Sequence, residues 1–411
     1  MATKASAAIV WRELRNRWGV YLGVRMRGLG RRFRAGELAA EIAAIERRGR
    51  FAALWGFENL GYRYAESERR RGADPRELFD PRRTGALPER ALPMLHAGVG
   101  LSLARYALAR AAGSTTEAAK ESAAPRPAEP SAEPSADPFP RSGRGAAPKP
   151  ADPFLNPLAE SADPSSDPFS GRDYGAAALA VVGLLEDISL SGQATAAVEC
   201  LGLITRFFHP RRLVAVANRL AAEAPQAVEP FWHGVGRCVY FLPAEMMPHR
   251  CHWRRLLDRL SIEVPPGVPR TNALAGLAWA LVLVNQRHPA ILEELLRRHG
   301  TRLLAAARPA SGNEAGAGDA FASGVASACA VRELISPGHA VTRKFLSHRP
   351  VDSAVAAVWD ELVAGPGRWG LERLLPRLVA ANRVSELCRY QPLETCGERR
   401  SSRGLSWVRI R

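Results

Sequence analysis

The sequence predicts an all-α protein built from stacked helical-hairpin repeats, solenoid-like, interrupted by one disordered Pro-rich insertion. Three observations carry that prediction: a recurring small-residue motif, its spacing, and an abrupt change of composition inside the chain. The motif is a large apolar residue, then Gly, an apolar residue, and usually Gly or Ala. Its copies are Ala53-Leu-Trp-Gly56-Phe-Glu58, Leu95-His-Ala-Gly98-Val-Gly100, Phe231-Trp-His-Gly234-Val-Gly236, Leu274-Ala-Gly276-Leu-Ala278 and Phe321-Ala-Ser-Gly324-Val-Ala326. Gly56 and Gly98, like Gly234 and Gly276, lie about 42 residues apart, the length that two or three helices with their turns require. Each glycine costs about 0.5–1 kcal/mol relative to Ala inside a helix, so one per repeat implies a compensating close approach of two backbones.

Taken in order, residues 1–50 read as an arginine-rich lead followed by a helix from Gly36 to Arg50, with Leu38, Ile42 and Ile45 at three- and four-residue steps. The first repeat helix runs from Phe51 to Arg71 and stops at Gly72; Asp74-Pro75 starts a short turn, and the second repeat helix spans about Pro88 to Ala112. From Gly113 to Arg172 the composition shifts to Pro, Ser, Ala, Glu and Asp, with Asp-Pro-Phe repeated at Asp137, Asp152 and Asp167. Such a stretch buries too little apolar surface to offset its ordering entropy and is expected to be a disordered linker. Helices resume with Ala176–Glu186, Thr195–Phe208 and Arg211–Ala224, before the third and fourth repeats and the amphipathic Pro289–His299. A Gly-rich loop, Ala310–Gly318, precedes the fifth repeat, and Asp352–Val363 and Trp369–Asn382 close the chain around Gly365-Pro366-Gly367. The expected organisation is therefore helical repeats over 1–112, a linker over 113–172, helical repeats over 173–387 and a flexible tail over 388–411.

At 411 residues, 46% hydrophobic, the chain can bury one large or two medium cores. Its net charge of +16 is almost wholly arginine, since Lys4, Lys120, Lys149 and Lys344 are the only lysines. That bias, beside abundant Ala, Gly and Pro, matches a GC-rich coding sequence, as in many bacteria, and argues against nucleic acid as the partner. Arginine pairs such as Arg297-Arg298 follow Glu293 and Glu294 and read as solvated helix faces, with an anionic partner as the alternative. Arg12, Glu13, Arg15 and Arg17 stand where a signal peptide needs an apolar run, and Ala273–Gln286 is shorter than the roughly 18–20 residues of a membrane span. A cytoplasmic protein without a membrane span is expected. Cys200, Cys238, Cys251, Cys329, Cys388 and Cys396 form no C-x-x-C pair and read as reduced thiols.

Candidate chemistry is sparse. No full G-x-G-x-x-G, Ser-His-Asp series, paired carboxylates or G-x-S-x-G elbow occurs, so no catalytic residue is assigned and no cofactor is expected. His249, Cys251 and His252 crowd three possible metal ligands into four residues, but adjacent helical side chains point about 100° apart, and no metal site is expected. Glu58 and Arg237 place charges inside apolar repeat helices, where an unpaired charge is costly. His96 and His233 stand just before repeat glycines. If the stack brings these residues to one groove, Glu58, His96, Trp232, His233 and Arg237 form a ligand site walled by Trp55, Tyr240 and Trp279. The alternatives are isolated, satisfied core histidines, with Glu58 and Arg237 either paired with each other or at the rim facing water.

The repeat segments, above all Leu95–Arg105, Phe231–Phe241 and Leu274–Ala280, resemble those of an all-helical bacterial family of unknown molecular function found in enediyne biosynthesis gene clusters. The resemblance covers roughly 51–112 and 174–335. It implies an accessory role in natural-product biosynthesis, with an apolar polyene intermediate held in a groove between repeat helices and biosynthetic enzymes as partners. The residues by themselves support a second expectation, a solenoid-type interaction scaffold without catalytic activity, holding other proteins through its concave face or its Asp-Pro-Phe linker.

Overall fold

A computed structural model describes residues 2–26, 34–122, 173–242, 246, 253–305 and 316–393. The Asp-Pro-Phe segments, the His249–His252 group and the stretch Gly397–Arg411 lie outside the described residues, which contain helices and no strand. In chain order the helices are α1 (Ala2–Met26), α2 (Leu38–Arg48), α3 (Arg50–Arg70), α4 (Pro81–Thr84), α5 (Leu92–Ser122), α6 (Tyr174–Ile188), α7 (Ala194–Phe208), α8 (Leu213–Glu223) and α9 (Val228–Phe241). They continue with α10 (Trp253–Glu263), α11 (Val268–Asn285), α12 (Pro289–Ala305), α13 (Ala317–Ile335), α14 (Ala340–Leu346), α15 (Ser353–Trp359), α16 (Gly365–Trp369) and α17 (Leu375–Ala380).

Six of them form an inner layer in which α3, α5, α7, α9, α11 and α13 each pack on the next, while α4, α6, α8, α10 and α12 lie between them in the chain and α2 packs on α3. The layer curls until α13 returns to α3. Because α5 packs directly on α7, the helices before and after the insertion belong to one array and share one hydrophobic core.

The glycine motif explains how the inner helices approach so closely. Each inner helix carries two small positions separated by one buried apolar residue: Asn59 and Gly61, Gly98 and Gly100, Cys200 and Gly202, Gly234 and Gly236, Gly276 and Ala278, Gly324 and Ala326. The first position meets a backbone carbonyl of the preceding helix: Gly98 faces Glu58, Gly234 faces Glu199, Gly276 faces His233 and Gly324 faces Ala275. The second meets a carbonyl of the following helix: Gly61 faces Leu95, Gly100 faces Ala197, Gly202 faces Phe231 and Gly236 faces Ala273. One small residue therefore serves each neighbour, and the same register is propagated through the layer. Backbones this close gain dispersion and Cα–H···O contacts that a Cβ would abolish. Two features depart from the sequence expectation. In α3 the packing glycine is Gly61, whereas Gly56 abuts the Ile45 side chain of α2, and Cys200 supplies a copy of the motif that a search for glycine passes over.

The boundaries differ as well. α5 continues past Gly113 to Ser122, consistent with the high helix propensity of Ala118, Ala119, Lys120 and Glu121. The expected break at Gly365-Pro366-Gly367 is a continuous helical run from Ser353 to Ala380, with π-helical turns at Asp360–Ala364 and Gly370–Leu374. Pro366 and Pro376 follow these turns, and the wider turn takes up the clash each proline ring would make with the carbonyl four residues earlier. Residues 388–393, assigned to a tail because periodicity ends there, are packed. This segment crosses the start of the inner layer, where Arg389 pairs with Glu229, the Tyr390 amide donates to Asn272 and the Gln391 amide donates to Ser323.

At the opposite end α1 lies across the ends of α9 and α11 through polar contacts. Tyr240 donates to Glu13, Arg17 pairs with Glu13 at 2.7 Å and stands over the Tyr240 ring, and Asn16 donates to Asn285. On the outer surface the arginines alternate with acids, Arg297 reaching Glu293 at 3.1 Å and Arg298 reaching Glu294 at 2.6 Å. Among the described residues no helix is long and apolar enough to cross a membrane.

Candidate functional site

The register that spaces the glycines also aligns side chains. Glu58, Glu199 and His233 each immediately precede the first small position of α3, α7 and α9, and Arg237 and Trp279 each follow the second small position of α9 and α11. Curling of the layer brings these residues together from four helices. Arg237 forks between Glu58 and Glu199, pairing with Glu58 through one terminal nitrogen and with Glu199 through the other at 3.1 Å. His233 Nδ1 lies 2.8 Å from the second oxygen of Glu199 and donates to it. The guanidinium carbon lies 5.0 Å from the centroid of the Trp279 ring and 5.7 Å from that of Trp55, and the two indoles meet edge to face at 6.4 Å. Phe241 extends this aromatic wall, 6.0 Å from Trp55. The side chains of Glu58, Glu199, His233 and Arg237 are between 0% and 4% exposed, so the cluster is sealed from solvent.

The two carboxylates behave differently although they share one cation. Burial raises the pKa of Glu58 above its ordinary value despite Arg237, and the Glu199 charge pushes in the same direction. Burial acts on Glu199 too, but Arg237 and His233 together outweigh it and hold its pKa below the ordinary value. Arg237 keeps its proton firmly, since both glutamates overcome the cost of its burial. Glu199 is thus the counter-ion of Arg237, and Glu58 is the carboxyl that more readily stays protonated. Burial, reinforced by Glu199, pushes the Cys200 thiol well up, and Cys388 behaves alike, so both are packing residues and poor nucleophiles.

Three nitrogens in this buried cluster have no hydrogen-bond partner among the described residues: His233 Nε2, Arg237 Nε and Trp279 Nε1. A buried polar group left unmatched costs about 1–3 kcal/mol, so three in one cluster amount to a demand for complementary atoms.

Of the residues expected to form a ligand site, Glu58, His233 and Arg237 converge. His96 does not. Its Nδ1 donates to the Leu92 carbonyl at 2.8 Å, its Nε2 accepts from the Leu190 amide at 3.2 Å, and its ring stacks on Phe79 at 3.9 Å. Burial lowers its pKa to about 4, so it is a neutral residue that ties the end of α6 to α5. His96 stands two residues before its glycine and His233 one; a single helical step is about 100°, which turns His96 away from the cluster. Trp232 packs edge-on against Phe231 with ring centroids 5.5 Å apart, and Tyr240 is engaged by α1 instead of walling the site. Glu199 escaped sequence reasoning because Cys200 disguises its motif. Among the described residues no group of His, Cys, Asp and Glu could hold a metal ion. Two surface clefts, of about 540 and 280 Å³, are lined by residues of α1 and by residues of α10 to α13, and neither includes a member of the cluster. Comparison of the chain with protein-family models, curated proteins and solved structures finds no match.

Proposed function

We propose that the chain is a binding protein that holds an apolar, conjugated molecule inside the helical array. This is the accessory role in natural-product biosynthesis that its resemblance to the enediyne-associated family implies. The observation that carries the reading is the unmatched trio of His233 Nε2, Arg237 Nε and Trp279 Nε1, set beside an aromatic wall of Trp55, Trp279 and Phe241. Apolar walls with a few convergent polar groups are the usual make-up of a small-molecule site. Arg237 is already neutralised by Glu199, with Glu58 beside it, so the cluster has no surplus positive charge for an anion; a neutral carbonyl or hydroxyl on a conjugated chain fits its electrostatics best.

A second reading, a non-catalytic interaction scaffold, is favoured by the sealing of the same cluster, whose charges would then serve only to fix the packing of α3, α7 and α9. Titration of the full chain with a linear conjugated polyene aldehyde separates the two. Binding beside Trp55 and Trp279 predicts saturable quenching of tryptophan emission, weakened about tenfold or more by Arg237→Met at unchanged helical circular dichroism. Absence of saturable quenching in the unaltered protein rejects the interior site.

A further inference from the structure

The exposed face of α1 has a composition that the interior site does not account for. A cleft of about 540 Å³ runs along it, lined by Trp11, Arg12, Arg15, Trp18 and Met246. Trp11 is 61% exposed, an uncommon position for a tryptophan in a helix whose other side is fixed in place. Glu13 is the one acid of α1, and it is buried on the opposite face and held by Arg17 and Tyr240. The exposed arginines of this face therefore have no acid on their own helix. Their field is felt at the α11–α12 junction, where burial and then Arg12, Arg15 and Arg287 lower the pKa of His288.

The insertion carries the complementary chemistry three times. Asp137-Pro-Phe139, Asp152-Pro-Phe154 and Asp167-Pro-Phe169 each set a carboxylate two residues before an aromatic ring. The intervening proline removes conformational freedom that binding would otherwise have to remove. The insertion rejoins the array at the start of α6. Tyr174, at the start of α6, packs against His209 at the end of α7, and α1 contacts Tyr240 and Asn285 at the ends of α9 and α11. The segment Arg389–Gln391 marks the other end of the same layer. As a random coil the stretch from Phe154 to Asp173 would span about 24 Å root-mean-square, and three tethered copies raise the effective concentration at one cleft.

We propose that the α1 cleft is the docking site for the chain's own Asp-Pro-Phe segments, with the aspartate paired to Arg12 or Arg15 and the phenylalanine stacked on Trp11 and Trp18. Docking in this way covers the exposed indole of Trp11.

Photo-crosslinking of the full chain tests this. With Phe154→p-benzoyl-phenylalanine, irradiation and peptide mapping are expected to place crosslinks within residues 8–18 of the same chain. Arg12→Glu with Arg15→Glu is expected to reduce that yield about tenfold or more at unchanged circular dichroism. Trp11→Ala, at an exposed position, provides a second variant with the same expected loss. Crosslinks to other helices, crosslinks only between isotopically distinct chains, no crosslinked product, or a yield indifferent to both variants would overturn the proposal.

Discussion

Replacing Gly236 by alanine isolates the contribution of the backbone notches, because the substitution adds one methyl and improves intrinsic helix propensity. A Cβ on Gly236 would lie 2.5 Å from the carbonyl carbon of Ala273 and 2.8 Å from its Cα. The Cβ would also overlap the Ala273 carbonyl oxygen, and relaxed carbon contacts are about 3.5–4.0 Å, so α9 and α11 must separate by more than about 1 Å at their point of closest approach. Overpacking of this kind costs about 1–3 kcal/mol, against which alanine recovers about 0.5–1 kcal/mol of helix propensity. Separation also loosens the reciprocal notch of Gly276 against His233, next to the charge cluster. A net destabilisation of about 1–2 kcal/mol is expected. Gly183 is the control: it lies inside α6, is exposed, and an added Cβ would meet nothing within 4 Å. Gly183→Ala is expected to stabilise by about 0.5–1 kcal/mol. Urea denaturation of both variants, with slopes compared to exclude a change in the unfolded state, reads the difference directly. Equal midpoint shifts, or a rise for Gly236→Ala, would refute the packing argument.

Other consequences concern the buried ionisable groups. The folded pKa of Glu199 lies below its unfolded value, so its contribution is present above pH 4.5 and is lost as pH falls. Glu199→Gln strips Arg237 of its counter-ion and is expected to cost about 3–5 kcal/mol at pH 7, measured by denaturant unfolding. Glu58 has the opposite sign: its folded pKa is raised, so stability is full below pH 4.5 and declines as pH rises through the folded value. Glu58→Gln is therefore expected to be neutral or stabilising at pH 7, and a loss as large as that of Glu199→Gln would contradict the assignment of their roles. For His96, lowered from 6.5 to about 4, the neutral form is the folded one, so its contribution is complete above pH 6.5 and falls by about 2 kcal/mol on going to pH 5. Unfolding curves of the protein and of His96→Gln at the two pH values should differ in pH slope by that amount.

The all-helical class and the repeat were legible because the glycine notch is a local, periodic requirement with a physical cause. The register was harder to read. Gly56 satisfied the pattern yet only accommodates Ile45, while the true α3 copy, Asn59-Leu60-Gly61, lies among polar residues. Convergence of Glu58, His233 and Arg237 was readable from charge inside apolar helices, because a buried charge must find a partner. Glu199 was hidden because small size, not glycine itself, is what the first position demands, and Cys200 meets it. The docking of α1 and of residues 389–393 had no periodic signal, since both are fixed by hydrogen bonds to helix ends that are distant in sequence.

The interior ligand site proposed beside Trp55 and Trp279 turns on what meets the three unmatched nitrogens. A crystal structure of the full chain at about 1.5 Å resolution, grown with the polyene aldehyde, tests it most directly. Density is expected for an oxygen atom of the ligand or of an ordered water within about 3.2 Å of at least two of His233 Nε2, Arg237 Nε and Trp279 Nε1. Density showing all three nitrogens packed only against carbon, with Glu58, Glu199 and Arg237 still paired, would contradict it and leave the cluster as a packing device of the helical array.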